Sequence, residues 1–248
     1  MRCCDPRMRR FVQALSGLEA VAGVSPALVE RLRDLPDRWN ISRGQSAGVI
    51  VGGDDGLQVV TMSWGLVPSW EPLPETRYST QTARLDRAPR SRLFRRAWNQ
   101  RRCAVPMNGY FKWSREMRPH RPWFIQARDG APLFAAALWE RWHDDELGLE
   151  HHSFAILTQP NPTIPAPLTA DGPLFIAPAR VFDWIAAEPR RALAVVHREP
   201  APMLEAYPVS RRIARRDVDD YALLEPLPPD GEDGLGEHVV DEDEEFVD

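Results

Sequence analysis

Lys112 is the only lysine among 31 basic residues, and it stands in the run RRCAVPMNGYFKW from Arg101 to Trp113. An amine in such a place is an ordinary solvated charge, a phosphate ligand or, where an apolar pocket lowers its pKa, a nucleophile able to form a Schiff base with an aldehyde. If Gly109–Trp113 is a strand, Phe111 and Trp113 point to the face opposite Lys112, so their apolar character says nothing about desolvation of the amine. Thiols offer a second chemistry. The three cysteines, Cys3, Cys4 and Cys103, are too few and too unevenly spaced for a disulfide framework, and vicinal cysteines rarely bridge each other. Together with His151 and His152 they match no structural zinc spacing, so no metal and no other cofactor is expected. Neither a nucleophile elbow nor a phosphate-binding loop occurs.

The elements that must position these groups read as mixed α and β. Ser25-Pro26 predicts a helix start, with Leu28, Val29 and Leu32 on one face and a stop at Leu35-Pro36. Ala47–Val51 and Leu57–Met62 are β-branched runs around Gly52-Gly53-Asp54-Asp55-Gly56, which reads as a hairpin with a longer loop. Trp123–Ala127 and Leu133–Trp139 around Arg128-Asp129-Gly130 read as a second hairpin, and His152–Leu157 as a further strand. Pro178–Ala187 reads as helical, with Val181, Trp184 and Ile185 on one face. Strands outnumber helices without βαβ alternation. The expected fold class is therefore α+β, a mainly antiparallel barrel-like sheet with flanking helices.

A chain of 248 residues with 43% hydrophobic residues can bury a sizeable core. Ten of the 36 acidic residues fall between Pro226 and Asp248, a stretch with no Lys or Arg, so residues 1–225 carry 31 basic side chains against 26 acidic ones. The expected organisation is a domain over residues 1–225, net +5, followed by an acidic disordered tail over 226–248, net −10. That asymmetry fits a polyanionic partner which the tail mimics or repels, or a tail that recruits a protein partner. Thirty arginines against one lysine are what GC-rich codon usage produces, so the count alone argues little for phosphate binding. The start MRCCDPRMRRFV lacks an apolar signal core, and no run of about 18 apolar residues occurs. A cytoplasmic, reducing location without membrane contact is expected.

Several segments, in order, resemble the SOS-response-associated peptidase (SRAP) family, whose members process abasic sites in single-stranded DNA. They are Arg10-Phe11-Val12-Gln13, Trp39-Asn40-Ile41, Trp64-Gly65-Leu66-Val67-Pro68-Ser69-Trp70, Thr82-Ala83-Arg84, Gly109-Tyr110-Phe111-Lys112-Trp113, Ala137-Leu138-Trp139-Glu140, Phe154–Thr158, Ala166–Ile176 and Pro208-Val209-Ser210. The resemblance covers residues 8–225 and implies an SRAP-like domain. It also implies four catalytic positions, and all four are substituted. The family's nucleophile is a cysteine exposed by removal of the initiator methionine, whose amine and thiol close a thiazolidine with the abasic-site aldehyde. Alignment on Arg-Phe-x-Gln puts Met8 there, after a seven-residue extension, and a thioether cannot act as a thiolate. Cys3 and Cys4 lie nearby, but Arg2 is too bulky for ordinary methionine trimming.

The family's asparagine becomes Thr82, which loses an amide that donates and accepts together. Its glutamate becomes Lys112, replacing a proton-shuttling carboxylate by a cation. Its histidine becomes Thr169, whose hydroxyl does not titrate near neutral pH. For DNA contact the resemblance points to Arg10 and Arg84 at phosphate and to Trp64 and Trp70 as stacking platforms, with ion pairing and core packing as the plainer alternatives. Asp171, standing where the family has an arginine, would repel a phosphate. Trp113 reads as core. The expectation is a catalytically degenerate SRAP protein that retains single-stranded DNA binding in the DNA damage response. The alternatives are an active abasic-site crosslinker or lyase with self-processing peptidase activity using Cys3, Cys4 or Lys112, and a protein-interaction scaffold.

Overall fold

The computed structural model describes residues 8–114 and 120–227. In chain order the elements are β1 (Arg10–Gln13), α1 (Pro26–Arg33), β2 (Arg38–Ile41), β3 (Ser46–Gly53), β4 (Gly56–Trp64), β5 (Thr82–Arg84) and α2 (Arg95–Gln100). There follow β6 (Arg102–Met107), β7 (Gly109–Trp113), β8 (Pro122–Ala127), β9 (Leu133–Asp144), β10 (Leu149–Pro160), β11 (Asp171–Pro173), α3 (Val181–Ala186), α4 (Ala192–Val196) and β12 (Leu204–Pro208).

Two sheets organise the domain. Strands β3, β4, β10, β9 and β6 close into a five-stranded barrel, because β10 pairs with β9 as well as β4 and β3 pairs with β6. The other sheet runs in the order β12, β8, β7, β1, β2. Most pairings are antiparallel, and only β10 has parallel neighbours, β4 and β5. The α+β class with a barrel-like antiparallel sheet is what the strand-rich sequence predicts.

Alternation along the strands makes the layers. Val49, Cys103, Val105, Ala135, Phe154 and Ile156 enter a core shared by the barrel and one face of the five-stranded sheet, where they join Phe11, Tyr110 and Ile125. The intervening residues Ile50, Ala104, Phe134, Leu138 and Leu157 face outward beneath α1, α2, α3 and α4. With both faces covered, the strands read as continuous apolar runs. The other face of the sheet, with Val12, Phe111 and Phe124, packs on Val209, Ile213 and Leu223.

Helix α1 forms as its sequence dictates: Ser25 accepts from the Leu28 amide, Pro26 opens the first turn, and Leu28, Val29 and Leu32 are buried. The expected helix over Pro178–Ala187 is a short 3-10 turn, Pro178–Arg180, running into α3, which ends one residue earlier at Ala186, with Val181 and Trp184 buried. Two turns differ from expectation. In the first hairpin the strands run into their glycines, with Gly53 opposite Gly56, so the loop is only Asp54-Asp55. The second expected hairpin does not exist. Strand β8 pairs with β7 and β12, whereas β9 pairs with β6 and β10, so Arg128-Asp129-Gly130 begins a crossing between sheets. Among the described residues no helix is long and apolar enough to cross a membrane.

Candidate functional site

Three short elements converge beside the C-terminal end of β10. Strand β5 lies along one edge, with Thr82 opposite Ile156 and Arg84 opposite Thr158. Strand β11 lies along the other edge, with Pro173 opposite Thr158 and Asp171 opposite Pro160. From the five-stranded sheet, β7 contributes Lys112, and β1 runs antiparallel to it with Arg10 opposite Phe111.

Lys112 is 2% exposed. Its Nζ donates to the Thr169 carbonyl oxygen at 2.6 Å, to Thr169 Oγ1 at 2.8 Å and to the Asp171 carbonyl oxygen. Three acceptors answer the three N–H groups of an ammonium, and two of them are carbonyls that can only accept. The set suits a protonated amine, whose lone pair is unavailable for attack on a carbonyl. Strand alternation holds as expected, since Tyr110 joins the barrel-side core while Phe111 and Trp113 pack on the opposite face. Lys112 and Thr169, two of the four positions that the resemblance marks as catalytic, are thus in direct contact. Thr82 sits at 9% exposure on β5, across β10 from β11. Met8 lies where the chain enters β1, with its thioether side chain in the shared apolar core. Cys3 and Cys4 lie outside the described residues.

Among the residues expected at DNA, the structure divides each pair. Arg10 is fully buried, its guanidinium donating to Asn40 Oδ1 at 3.0 Å and to the Ala214 carbonyl at 2.6 Å. It ties β1 to β2 and to the 3-10 turn Arg211–Ala214, and no phosphate can reach it. Trp64 is also fully buried, edge-on to Phe11 at 5.0 Å, with Nε1 donating to the Gln81 carbonyl. Core packing replaces base stacking at that position. Arg84, by contrast, is exposed and forms a two-pronged ion pair with Asp86 at 3.0 and 3.3 Å. That hydrogen bond raises the Arg84 pKa above its usual value, with a smaller contribution from the charge of Asp171.

Trp70 is 43% exposed, with the Arg92 guanidinium 4.7 Å over its ring and Tyr78 edge-on at 6.3 Å. The segment that carries it is pinned from inside. Leu66 and Val67 are buried, the Val67 amide donates to Ser153 Oγ, and Arg43 donates to the Thr76 and Tyr78 carbonyls. Trp70 therefore stands out from a fixed base.

The sequence reading passed over the groups that hold this face. Buried Glu140 accepts from Arg101 at 2.6 Å and faces Arg96 at 3.9 Å, while Arg96 donates to Ser69 Oγ at 2.5 Å. The density of arginine between Arg84 and Arg102, with Asp86 the one acidic residue there, is the signal that finds it. Beside Lys112, the buried Tyr110 hydroxyl has no hydrogen-bond partner among the described residues, and burial followed by the charge of Asp171 pushes its pKa up. His152 is held by Glu150 at 2.6 Å, and the described residues contain no group of three potential metal ligands.

Comparison with known proteins matches this frame. The family model described as SOS response associated peptidase (SRAP) fits residues 9–216. The abasic site processing protein YedK of Escherichia coli is 26% identical over 205 residues, spanning 79% of this chain and 90% of that protein. The abasic site processing protein YMR114C of Saccharomyces cerevisiae is 36% identical over 103 residues, spanning 41% of this chain and 27% of that protein. A solved structure from Bacteroides thetaiotaomicron shares the fold with a TM-score of 0.69 at 19% identity, covering 89% of this chain and 100% of the other. With the family model spanning most of the domain and the barrel and sheet in place, the chain belongs to the SOS response associated peptidase family.

Proposed function

We propose that this chain is a SRAP protein that has given up covalent capture of abasic sites and binds single-stranded DNA without reacting with it. The observation that carries this reading is the Lys112 ammonium tied to Thr169 and Asp171. A glutamate carboxylate in the same place would face two carbonyl oxygens with no proton to donate, and even protonated it would answer only one of them. Lysine at position 112 and threonine at position 169 therefore form a self-consistent pair, which supports a site rebuilt as a structural tie. Burial of the Met8 thioether in the core supports the same reading, since that position offers no thiolate.

The DNA contacts in this reading are Arg84, Trp70 and Arg92. An exposed guanidinium takes a phosphate through its planar fork, and an exposed indole backed by a cation offers its free side to an unpaired base. Arg84 must exchange Asp86 for the phosphate, so the interaction is salt-sensitive and modest. A role in the damage response follows from the abasic-site processing named for the relatives.

One experiment separates this reading from its enzymatic alternatives. The full chain is incubated with single-stranded oligonucleotide containing an abasic site, with and without borohydride, and run on native and denaturing gels. The expected result is a native shift, weakened by Arg84→Ala, and no covalent species in either condition. A borohydride-dependent adduct lost in Lys112→Met would assign Schiff-base chemistry to Lys112. A borohydride-independent adduct mapped to Cys3 or Cys4 would restore the crosslinker reading. Absence of any shift would remove the DNA-binding reading and leave a protein-interaction scaffold.

A further inference from the structure

Between Arg84 and Arg96 the chain carries Arg84, Arg87, Arg90, Arg92, Arg95 and Arg96, all exposed, against one acidic residue, Asp86. Asp86 is taken by Arg84, and Arg96 leans toward buried Glu140. Among the described residues no carboxylate pairs with Arg87, Arg90, Arg92 or Arg95. Elsewhere on the surface Arg33 sits on Glu30, Arg38 on Asp219, Arg180 on Asp183 and Arg215 on Asp217, and exposed arginines without an ion pair among the described residues, such as Arg31 and Arg128, lie outside so dense a run. This face is a concentration of uncompensated positive charge, built partly on α2 and partly on the segment leading into it.

The same chain supplies a complement. Ten carboxylates and no Lys or Arg lie between Asp230 and Asp248. The described chain ends at Leu227, whose amide is fixed to the Pro208 carbonyl at 2.8 Å. The 21 residues beyond it span up to about 70 Å when extended. A domain of this length has a radius of gyration of about 17 Å, so that reach takes the segment to any part of the surface. Tethering makes the local concentration of carboxylates millimolar or so.

We propose that the acidic run Asp230–Asp248 docks on the arginine face from Arg87 to Arg96 and must be displaced before a nucleic-acid backbone occupies those arginines. The docking stands on charge and reach; its consequence for DNA rests on the binding reading above. In this arrangement the net-positive domain carries its own competitor. Long or locally concentrated DNA displaces the segment, and short or scarce DNA does not.

The near-absence of lysine makes the docking directly readable. Arg95→Lys in the full chain preserves charge and introduces one exposed amine, Lys112 being the only other lysine and buried. Zero-length carbodiimide coupling followed by peptide mapping is expected to link position 95 to carboxylates of residues 230–248 within one molecule. The yield falls severalfold between about 50 and about 500 mM salt. The same exchange at Arg128, an exposed arginine next to β8, links to that segment at least about fivefold less, as expected for a charge-selected dock. Equal linkage at both positions, or linkage only between molecules, overturns the docking. For the consequence, replacing the ten carboxylates by amides tightens single-stranded DNA binding about tenfold at low salt. Adding Arg87→Gln, Arg90→Gln, Arg92→Gln and Arg95→Gln removes that gain. Unchanged affinity overturns the competition. If no variant binds DNA, the binding reading fails while the cross-link still decides the docking.

Discussion

The Lys112 cluster and the arginine face are both cationic and belong to one domain, yet they direct their charge in opposite ways. At Lys112 the ammonium points inward onto Thr169 and Asp171 and is nearly inaccessible. On the other face Arg87, Arg90, Arg92 and Arg95 stay exposed with no carboxylate among the described residues to hold them. Buried charge is kept only where hydrogen bonds answer every donor, whereas exposed charge is cheap to maintain and free to meet a partner. In the proposed reading, positions that the resemblance marks as catalytic serve as structure, and the capacity for interaction lies on the exposed surface.

The strongest way to break this contrast is Lys112→Glu. The substitution introduces the residue type that the resemblance implies but sets a buried carboxyl group against carbonyl oxygens, so we expect a loss of about 3–5 kcal/mol in stability, read from the urea midpoint. An unchanged midpoint with new covalent activity toward an abasic oligonucleotide would show that the site had been one substitution from function. The same logic separates the two arginines first expected at DNA. Arg10→Met removes a buried cation and leaves Asn40 and the Ala214 carbonyl without their donor, at a cost of about 3 kcal/mol. Arg84→Ala leaves the urea midpoint unchanged and weakens DNA binding. If Arg10→Met proved as stable as wild type and bound DNA poorly, the assignment of Arg10 to the interior would fail.

Strand positions and the capped helix were legible because they depend on local alternation and on one side chain reaching its own helix. Partners were less so. Trp123–Ala127 and Leu133–Trp139 have the composition of two paired strands, but composition fixes the strand and not its neighbour, and each pairs elsewhere. The hairpin that does form here, β9 with β10, turns through residues 145–148 inside a charged stretch that hides the outer ends of the two strands and so their pairing. The fates of Trp64 and Trp70 were hidden for a related reason. Trp64 ends β4 inside the barrel, the chain turns at Gly65 with φ +122°, and Trp70 emerges on the outside. Arg10 could not be read locally at all, since its acceptors lie 30 and 204 residues away.

Trp70→Ala tests the exposed half of the comparison alone. Stability should hold, because the ring is 43% exposed and rests on Arg92 rather than in the core. Loss of one stacked base costs about 1–3 kcal/mol of binding, a drop visible in a fluorescence anisotropy titration with a short oligonucleotide. No change in affinity would place the DNA path elsewhere on the surface.

Asp86→Asn has the smallest expected effect and the most specific signature. It frees Arg84 from its exposed carboxylate, and since such pairs are weak, single-stranded DNA binding tightens only about two- to fivefold at low salt. The hydrogen bond from Arg84 holds the Asp86 carboxyl below its usual pKa, with further help from the charges of Arg84 and Arg87. The wild-type pair is therefore intact at neutral pH and through the ordinary carboxylate range, and it is lost only as pH falls through that lowered value. The affinity gap between wild type and Asp86→Asn should be flat around neutrality and close below the range where a free aspartate titrates. A gap that closed instead near neutral pH would point to another titrating group, and a gap of zero at every pH would mean that Arg84 does not meet the DNA.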